Sequence, residues 1–192
     1  MTLKTSDQIL SAASAILAKE GGAAVTLRRV AKAAKITPMA IYHHYDGLDD
    51  LLRALVDREI QHFIEFIDAT PIRKTPEAAL IHSPDAYLEF ALQFPKTFMF
   101  LFGEPRPGAR KFPEDFRAGR SPSLNLLADV VRAAMNNGYL RKADVWDVTF
   151  HIWAHNHGYA TLYLAGRISL SKAEFFDLVH QSLKRFLYGL KA

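Results

Sequence analysis

Apolar residues recur every three or four positions along most of the chain, the spacing that places side chains on one face of an α-helix. The first such run begins at Ile9 and is closed by Gly21 and Gly22, and the longest extends from Leu48 to Ile67. No stretch of useful length alternates apolar and polar residues as a half-buried strand would. The pattern therefore predicts an all-α fold.

Two short helices are predicted between residues 26 and 45. Thr26 stands before the first as a cap, and Thr37 stands before the second, with Pro38 at the first helical position, where its missing N–H costs nothing. The turn between these helices is only two or three residues long. This spacing is typical of a helix-turn-helix, whose second helix enters the major groove of DNA by its N-terminal end.

The second helix of this pair carries the side chains that we expect to meet DNA. Small residues let a helix approach the bases, and polar aromatic rings supply hydrogen bonds and contacts to thymine methyl groups. The residues expected to face bases and backbone are Thr37, Met39, Ala40, Tyr42 and His43. Tyr42 and His44 suit phosphate contacts at the far end. The alternative is that "YHHY" is only a polar helix end and that the basic residues before it, Arg28, Arg29, Lys32 and Lys35, form a solvated face.

Composition removes several classes of protein. The 192 residues include no cysteine, which excludes disulfide scaffolds, cysteine-ligated metals and thiol catalysis. The net charge of +4 permits a polyanionic partner without demonstrating one. No apolar segment reaches the roughly 18 residues that a membrane span requires. We expect a cytoplasmic protein that has no membrane partner.

The last two predicted helices have apolar residues on more sides than one core would cover. The first, from about Lys142 to Ala165, is apolar on two faces, and the second begins with a capping box at Ser171 and Glu174 and carries a dense Phe and Leu stripe that includes Leu183. Such helices agree with burial against both a core and a partner. The Gly-, Pro- and Arg-rich stretch at 103–122 has no sustained period, and it is interpreted as either a mobile lid or a disordered segment.

Asp147, His151 and His155 share one helical face at i, i+4 and i+8, with His157 nearby. This spacing would allow a divalent metal, although such a stripe is more often polar surface or a pocket wall. The adjacent His43 and His44 diverge and cannot chelate together. No phosphate-binding loop, nucleophile elbow or metalloprotease signature is present, so we assign no metal site, no cofactor and no catalytic residue.

The stretch from Ile9 to Leu52 resembles the N-terminal domain of the TetR/AcrR family of bacterial transcriptional regulators. The shared elements are "AA..IL...G" in the first helix, "T...VA..A.I" in the second, and "Y.HY...D.LL" at the exit into the fourth. Residues 150–168 are similar to a C-terminal subdivision of this family that carries a Trp and then His-Gly, which here are Trp153, His157 and Gly158.

The resemblance implies roles for the N-terminal residues. Thr26 and Arg28 would contact backbone or nearby bases, the segment 37–43 would lie in the groove, and Tyr42 and His44 would bind phosphates. Where the family usually carries a lysine at the start of helix four, this chain has Leu48. A phosphate contact would then be missing, or Lys35 would compensate for it.

The resemblance also implies an architecture and a function. Residues 1–47 would form the DNA-binding domain and 48–192 an effector-binding and dimerisation domain, with 48–68 as the linking helix. The chain would act as an effector-responsive repressor that binds a palindromic operator as a homodimer through its last two helices. Aromatic residues expected to line a cavity for a small-molecule effector are Phe63, Phe90, Phe98, Phe102, Trp153 and His157. Two alternatives remain open: a metal-dependent enzyme that uses the Asp147, His151 and His155 stripe, and a helical protein-interaction adaptor.

Overall fold

A computed structural model describes residues 5–70, 74–106 and 108–190 of the chain. These residues form eleven α-helices and contain no extended strand, which confirms the predicted all-α class. The helices are α1 (Thr5–Glu20), α2 (Leu27–Ala33), α3 (Pro38–Tyr42), α4 (Leu48–Asp68), α5 (Pro76–Ile81), α6 (Ser83–Gln93), α7 (Pro95–Phe98), α8 (Glu114–Arg117), α9 (Pro122–Asn136), α10 (Val145–Leu164) and α11 (Lys172–Tyr188). A 3₁₀ turn at Gly22–Ala24 follows α1, and a π-helical turn at Met99–Gly103 follows α7.

The helix-turn-helix is held by the caps that its sequence predicts. The Thr26 hydroxyl accepts a hydrogen bond from the backbone N–H of Arg29 at 3.4 Å, and the Thr37 hydroxyl accepts one from Ala40 at 3.2 Å. Pro38 occupies the first position of α3. Each cap satisfies a backbone donor that the first turn of a helix leaves without an intrahelical partner. Both helix starts are therefore determined by neighbouring residues.

The first compact unit comprises residues 1–63 and 94–109. Its described part contains α1 to α3, the front of α4, α7 and the π-helical turn. The buried side chains come from all of these helices and include Ile9, Leu17, Val30, Ile41, Leu51, Leu55, Phe63 and Phe98. The predicted boundary at residue 47 separates a DNA-binding domain from an effector-binding domain. The compact unit is defined by packing instead, and it also includes the front of α4 and residues 94–109. The functional boundary therefore stays a prediction.

The second compact unit comprises residues 64–93 and 110–192. One buried cluster joins α5, α9, α10 and α11, and its members are Leu80, Val131, Ala134, Met135, Leu140, Val148, Ile152, Leu183 and Leu187. The capping box of α11 is present, since Ser171 and Glu174 bond each other's backbone N–H groups. Leu183 is fully buried in this core. The stripe that includes it therefore packs inside the protomer, and any partner surface on α11 lies on other residues.

The Gly-, Pro- and Arg-rich segment is folded in its described part, which omits Pro107. It forms α8, and Arg117 of that helix makes ion pairs with Asp144 at 2.7 Å and Asp147 at 2.9 Å. The Phe112 ring stacks on Phe150 with centroids 4.3 Å apart. These contacts hold residues 112–117 against the start of α10.

Other predicted boundaries shift by a few residues. α10 begins at Val145 rather than near Lys142, because Asp144 caps it by accepting from the N–H groups of Trp146 and Asp147. Between α4 and α6 the chain forms α5, whose first turn is capped by Thr75. Residues 71–73, which precede it, lie outside the described residues. No helix in the described ranges is long and apolar enough to cross a membrane.

Candidate nucleic-acid interface and effector region

α3 is short, and its two sides differ sharply. Ile41 is fully buried and Tyr45, just beyond the helix, is nearly so, whereas Met39 is 67% and Tyr42 52% exposed. The remaining predicted DNA contacts of this segment, Thr37, Pro38, His43 and His44, are also exposed, and Ala40 is half-buried. Exposed hydrophobic side chains that lie close together can mark an interaction site, whereas single ones are normal. Of the "YHHY" residues, only Tyr45 belongs to the core; burial raises its pKa.

Basic side chains flank this helix. Arg28, Lys32 and Lys35 are exposed on α2 and on the turn that follows it. Arg29 instead pairs with Glu20 of α1 at 2.5 Å, so its charge is partly neutralised. Thr26 is half-buried, and its hydroxyl caps α2. Arg28 therefore lies on the helix that contacts α3, and Lys35 lies on the turn between the two helices, where positive charge favours phosphate.

Lys35 occupies the turn between α2 and α3 with a left-handed backbone, φ 55°. Its N–H donates to Lys32 O at 3.2 Å, and the N–H of Ile36 donates to Ala31 O at 3.0 Å. This pair of bonds is a Schellman ending, in which a left-handed residue reverses the chain after a helix. Glycine is usual at such a position, because a Cβ atom makes the conformation costly. The exposed side chain of Lys35 therefore leaves the chain at the reversal that precedes α3.

The start of α4 presents a different charge. Asp49 and Asp50 lie in its first turn, and the Asp50 carboxylate accepts from the N–H of Asp46 at 3.2 Å and pairs with Arg53 at 3.4 Å. Leu48 is half-buried beside them. Two carboxylates at this end of the helix disfavour a phosphate. Leu48 therefore replaces the usual lysine at a helix start whose neighbouring side chains, Asp49 and Asp50, are acidic.

The aromatic residues predicted to line an effector cavity belong to both compact units. Phe63, Phe98 and Phe102 lie in the first, where the Phe102 ring lies 5.3 Å from Phe63 and 5.4 Å from Phe98 between centroids. Phe90, Trp153 and His157 lie in the second unit. Within each unit these residues make ring contacts typical of a packed core. Their role in ligand binding stays a prediction.

Trp153 and His157 meet at the phenol of Tyr87. The indole N–H of Trp153 donates to the Tyr87 oxygen at 3.2 Å, and that oxygen lies 2.9 Å from Nδ1 of His157. Burial raises the pKa of Tyr87 and lowers the pKa of His157. A protonated phenol that donates to an unprotonated Nδ1 satisfies all three groups. The three residues therefore form a neutral polar network inside an aromatic environment.

A pocket of about 370 Å³ lies within the second unit. Its lining comes from the end of α4 and the residues after it, from α6 and from α11: Phe66, Ala69, Thr70, Asp85, Ala86, Glu89 and Phe176. None of the six predicted effector residues lines it, but the Phe90 ring packs edge-on against Phe66 at 5.5 Å. Apolar walls with a few polar groups are typical of small-molecule sites.

Comparison with known families places both parts of the chain. The family described as bacterial regulatory proteins, tetR family, matches residues 9–55, and the tetracyclin repressor-like C-terminal domain matches residues 80–184. The chain belongs to the TetR family. The second match includes Trp153, His157 and Gly158, on which the C-terminal resemblance depends. This TetR-family protein is a DNA-binding transcriptional regulator, and regulators of this family are generally not enzymes.

Individual relatives are distant in sequence. YobS of Bacillus subtilis (strain 168), an uncharacterized HTH-type transcriptional regulator, is 20% identical over 97% of this chain and 92% of its own length. A protein of unknown function from Rhodococcus sp. RHA1 has a TM-score of 0.81 at 23% identity, over 100% of this chain and 97% of that one. The fatty acid degradation regulator FadR from Bacillus halodurans has a TM-score of 0.71 at 17% identity, over 95% and 96%. At such identities the structures share the TetR fold.

The Asp147, His151 and His155 stripe of this TetR-family chain is engaged in other contacts. Asp147 pairs with Arg117, and Nε2 of His155 lies 2.9 Å from the hydroxyl of Ser182. Their ligand atoms do not converge; in the described part of the chain, the three metal-ligating groups that do converge are His82, Asp85 and His180. The stripe therefore acts as polar packing on α10 in this structure.

Sequence reasoning did not identify the pocket residues. Phe66, Glu89 and Phe176 come from three helices that are separated by long stretches of chain. Periodicity marks Phe66 and Phe176 only as apolar, and it cannot show which helices enclose a void. Glu89 gives one local signal, a charged residue within the apolar pattern of α6, and in the structure it pairs with Lys172 at 2.7 Å.

Proposed function

We propose that this TetR-family regulator represses transcription by binding a palindromic operator as a homodimer, with α3 of each protomer in the major groove. The observation that carries the proposal is the exposure of Met39 and Tyr42 on a capped helix whose other side is anchored by Ile41. A helix fits the major groove, which is roughly 12 Å wide. Arg28 and Lys35 would add phosphate contacts beside it.

The proposed dimer surface lies on α10 and α11. Ala154, Gly158 and Leu162 follow each other at i, i+4 and i+8 on α10; the two flanking residues are exposed. A Cβ atom built at Gly158 would meet no heavy atom within 4 Å in the part of the chain that the structure describes, apart from its own helix backbone. Small and apolar residues in such a row let two helices pack closely. The row therefore supports a helix-to-helix contact between two protomers.

The proposed effector site is the pocket of the second unit. Phe66 on α4 lines this pocket, and Leu48 is the first residue of the same helix. An effector that favours one position of α4 would shift the protein between two geometries by its difference in affinity for them. In a dimer, only one geometry would hold the two α3 helices about 34 Å apart, or a multiple of that, as successive turns of DNA require. Effector binding would then release the operator.

Selection of bound duplexes from a random pool tests the proposal. We expect the selected duplexes to share a palindromic sequence, because two identical protomers related by a two-fold axis read identical half-sites. On that duplex Tyr42→Ala should weaken binding at least tenfold and leave the oligomeric state unchanged. Leu170→Ala is the matched control, since Leu170 is an exposed hydrophobic residue of the second unit. Unchanged operator affinity of Tyr42→Ala, or selected duplexes without a palindromic sequence, would contradict the proposal.

A further inference from the structure

Two histidines and one aspartate converge in the second unit at a place that operator binding does not use. His82 follows α5, Asp85 lies in the first turn of α6, and His180 belongs to α11. One carboxylate oxygen of Asp85 lies 2.9 Å from Nδ1 of His82, and the other is hydrogen-bonded to Nε2 of His180. The two imidazole rings meet edge to face, with centroids 4.7 Å apart.

The three ligand atoms lie close to the separation that a bound ion requires. Each residue offers one atom, and these atoms all lie within 4.8 Å of one another. Around a tetrahedral ion with bonds of about 2.0–2.1 Å, ligand atoms lie about 3.3 Å apart. Small rotations of the side chains of His82, Asp85 and His180 would therefore bring them to coordination distance.

The chemistry of the three groups selects a class of metal. Two imidazole nitrogens and one carboxylate suit divalent first-row transition ions such as Zn²⁺, Ni²⁺ and Co²⁺, whereas Mg²⁺ and Ca²⁺ prefer oxygen ligands alone. The chain has no cysteine, so no thiolate competes for these ions. The side chains of His82, Asp85 and His180 are 35%, 20% and 15% exposed, which leaves an entry path while removing much of the water.

We propose that His82, Asp85 and His180 bind one divalent transition-metal ion and leave at least one coordination position open. The ion would replace the protons that the two imidazoles now share with Asp85 and would join α6 to α11. Asp85 also lines the pocket of the second unit, so the ion would lie at the wall of that pocket. The open position would accept water or a donor atom of a molecule in the pocket.

The site differs from the stripe on α10 that the sequence suggests. His82 and His180 lie far apart along the chain, and the bond from His180 to Asp85 spans 95 positions. No spacing rule for metal ligands covers that separation. Only the packing of α11 against α5 and α6 brings these residues together.

The test uses the full chain with any affinity tag removed and with metal stripped by a chelator. Zn²⁺ binding is measured by calorimetry, and Co²⁺ is added separately as a spectroscopic probe. We expect one ion per chain, a dissociation constant of about 10 µM or tighter, and visible Co²⁺ bands that report the coordination. Saturating Zn²⁺ should raise the thermal unfolding midpoint by at least about 3 °C.

Three variants and one control decide which residues hold the ion. Asp85→Asn, His82→Gln and His180→Gln should each weaken Zn²⁺ binding at least tenfold, because each removes one of three ligands. His151→Gln removes an exposed imidazole from α10 of the same unit and should bind Zn²⁺ like the wild type. Thermal unfolding without metal shows which variants are folded. His82 is the most exposed of the three side chains, so His82→Gln still tests the site if His180→Gln is unstable.

The proposal is overturned if the wild-type chain binds Zn²⁺ with a dissociation constant weaker than about 10 µM, because scattered surface histidines would explain such weak binding. It is also overturned if Asp85→Asn and His82→Gln bind Zn²⁺ as the wild type does. Weaker binding in His151→Gln alone would assign the ion to α10 instead. No DNA is present, so these outcomes are independent of operator recognition.

Discussion

Ser14 of α1 donates a 2.6 Å hydrogen bond to the carboxylate of Glu59 on α4. Glu59 is buried within the first unit, and its second oxygen lies 3.4 Å from Nδ1 of His62. Arg58, the residue before Glu59 on α4, donates at 3.1 Å to Ser11, which lies about one turn before Ser14 on α1. A buried carboxylate is costly unless it is hydrogen-bonded, so the Ser14 contact stabilises the packing of α1 on α4. A movement of α4 would therefore be transmitted to α1.

Ser14→Ala should lower the free energy of unfolding by about 1.5 kcal/mol, because it removes a hydrogen bond to a buried charged acceptor. Denaturant unfolding measures the change. Ser11→Ala is the matched control: its bond to Arg58 is exposed, and the loss should stay within about 0.5 kcal/mol. Equal losses in the two variants would show that the Glu59 carboxylate does not depend on Ser14.

Lys35→Gly should weaken operator binding without lowering stability. Glycine adopts the left-handed backbone of this turn without a Cβ penalty, so the free energy of unfolding should stay the same or rise by about 1 kcal/mol. If Lys35 contacts one phosphate, the plot of log affinity against log salt should become shallower by about one unit. Gel shift at several salt concentrations and thermal unfolding provide the two measurements.

Lys35→Arg is the control for this change, since it keeps the charge and should bind the operator nearly as the wild type does. Two results would count against the interpretation. A clear loss of stability in Lys35→Gly would mean that the turn is not left-handed in solution. An unchanged salt dependence would mean that Lys35 makes no phosphate contact.

The helix-turn-helix was predictable from sequence because its determinants are local. Thr26, Thr37 and Pro38 act on backbone groups within three residues of themselves, so cap and turn rules suffice. The end of α2 was harder to predict, because a lysine does not indicate the left-handed conformation that Lys35 adopts. Local rules succeed where the partner of each group is a neighbour in the chain.

Contacts between residues far apart in the chain could not be predicted from the sequence. Leu183 has the spacing of an exposed stripe as much as of a core stripe, and only the packing of α9 and α10 shows that it is buried. Residues 94–109 join the first unit although they follow α6 of the second. The hydrogen bond between Asp85 and His180 likewise could not be predicted, because the two residues are 95 positions apart. Periodicity identifies which face of a helix is apolar, but it does not identify what covers that face.

Leu48→Lys should strengthen operator binding severalfold at low salt. A lysine at the start of α4 would offset the charge of Asp49 and Asp50 and supply a phosphate contact, which would steepen the salt dependence by about 0.9 per contact. Ala133→Lys adds the same charge at an exposed position of α9 in the second unit and serves as the control. An equal gain in both variants would indicate a general effect of charge, and no gain in Leu48→Lys would contradict the prediction.

His157 should make the folded chain less stable as the pH falls. Burial lowers its pKa below the ordinary value near 6.5, so the unfolded chain binds a proton more readily and stability declines as the pH drops through that value. His157→Asn does not titrate there and should show a smaller loss between pH 7 and pH 5. Urea unfolding at several pH values measures both slopes. Parallel slopes in the two proteins would remove His157 as a contributor.

Gly158→Lys should convert the proposed dimer into monomers. The substitution has room within the protomer, where a Cβ atom at this position meets no described heavy atom within 4 Å beyond its own helix, and lysine favours a helix by about 0.7 kcal/mol over glycine. A folded monomer should therefore result, because the long charged side chain would separate two α10 helices packed at Ala154 and Leu162. Sedimentation velocity measures the oligomeric state, and Ala133→Lys should remain dimeric. A Gly158→Lys dimer of wild-type mass would place the interface elsewhere.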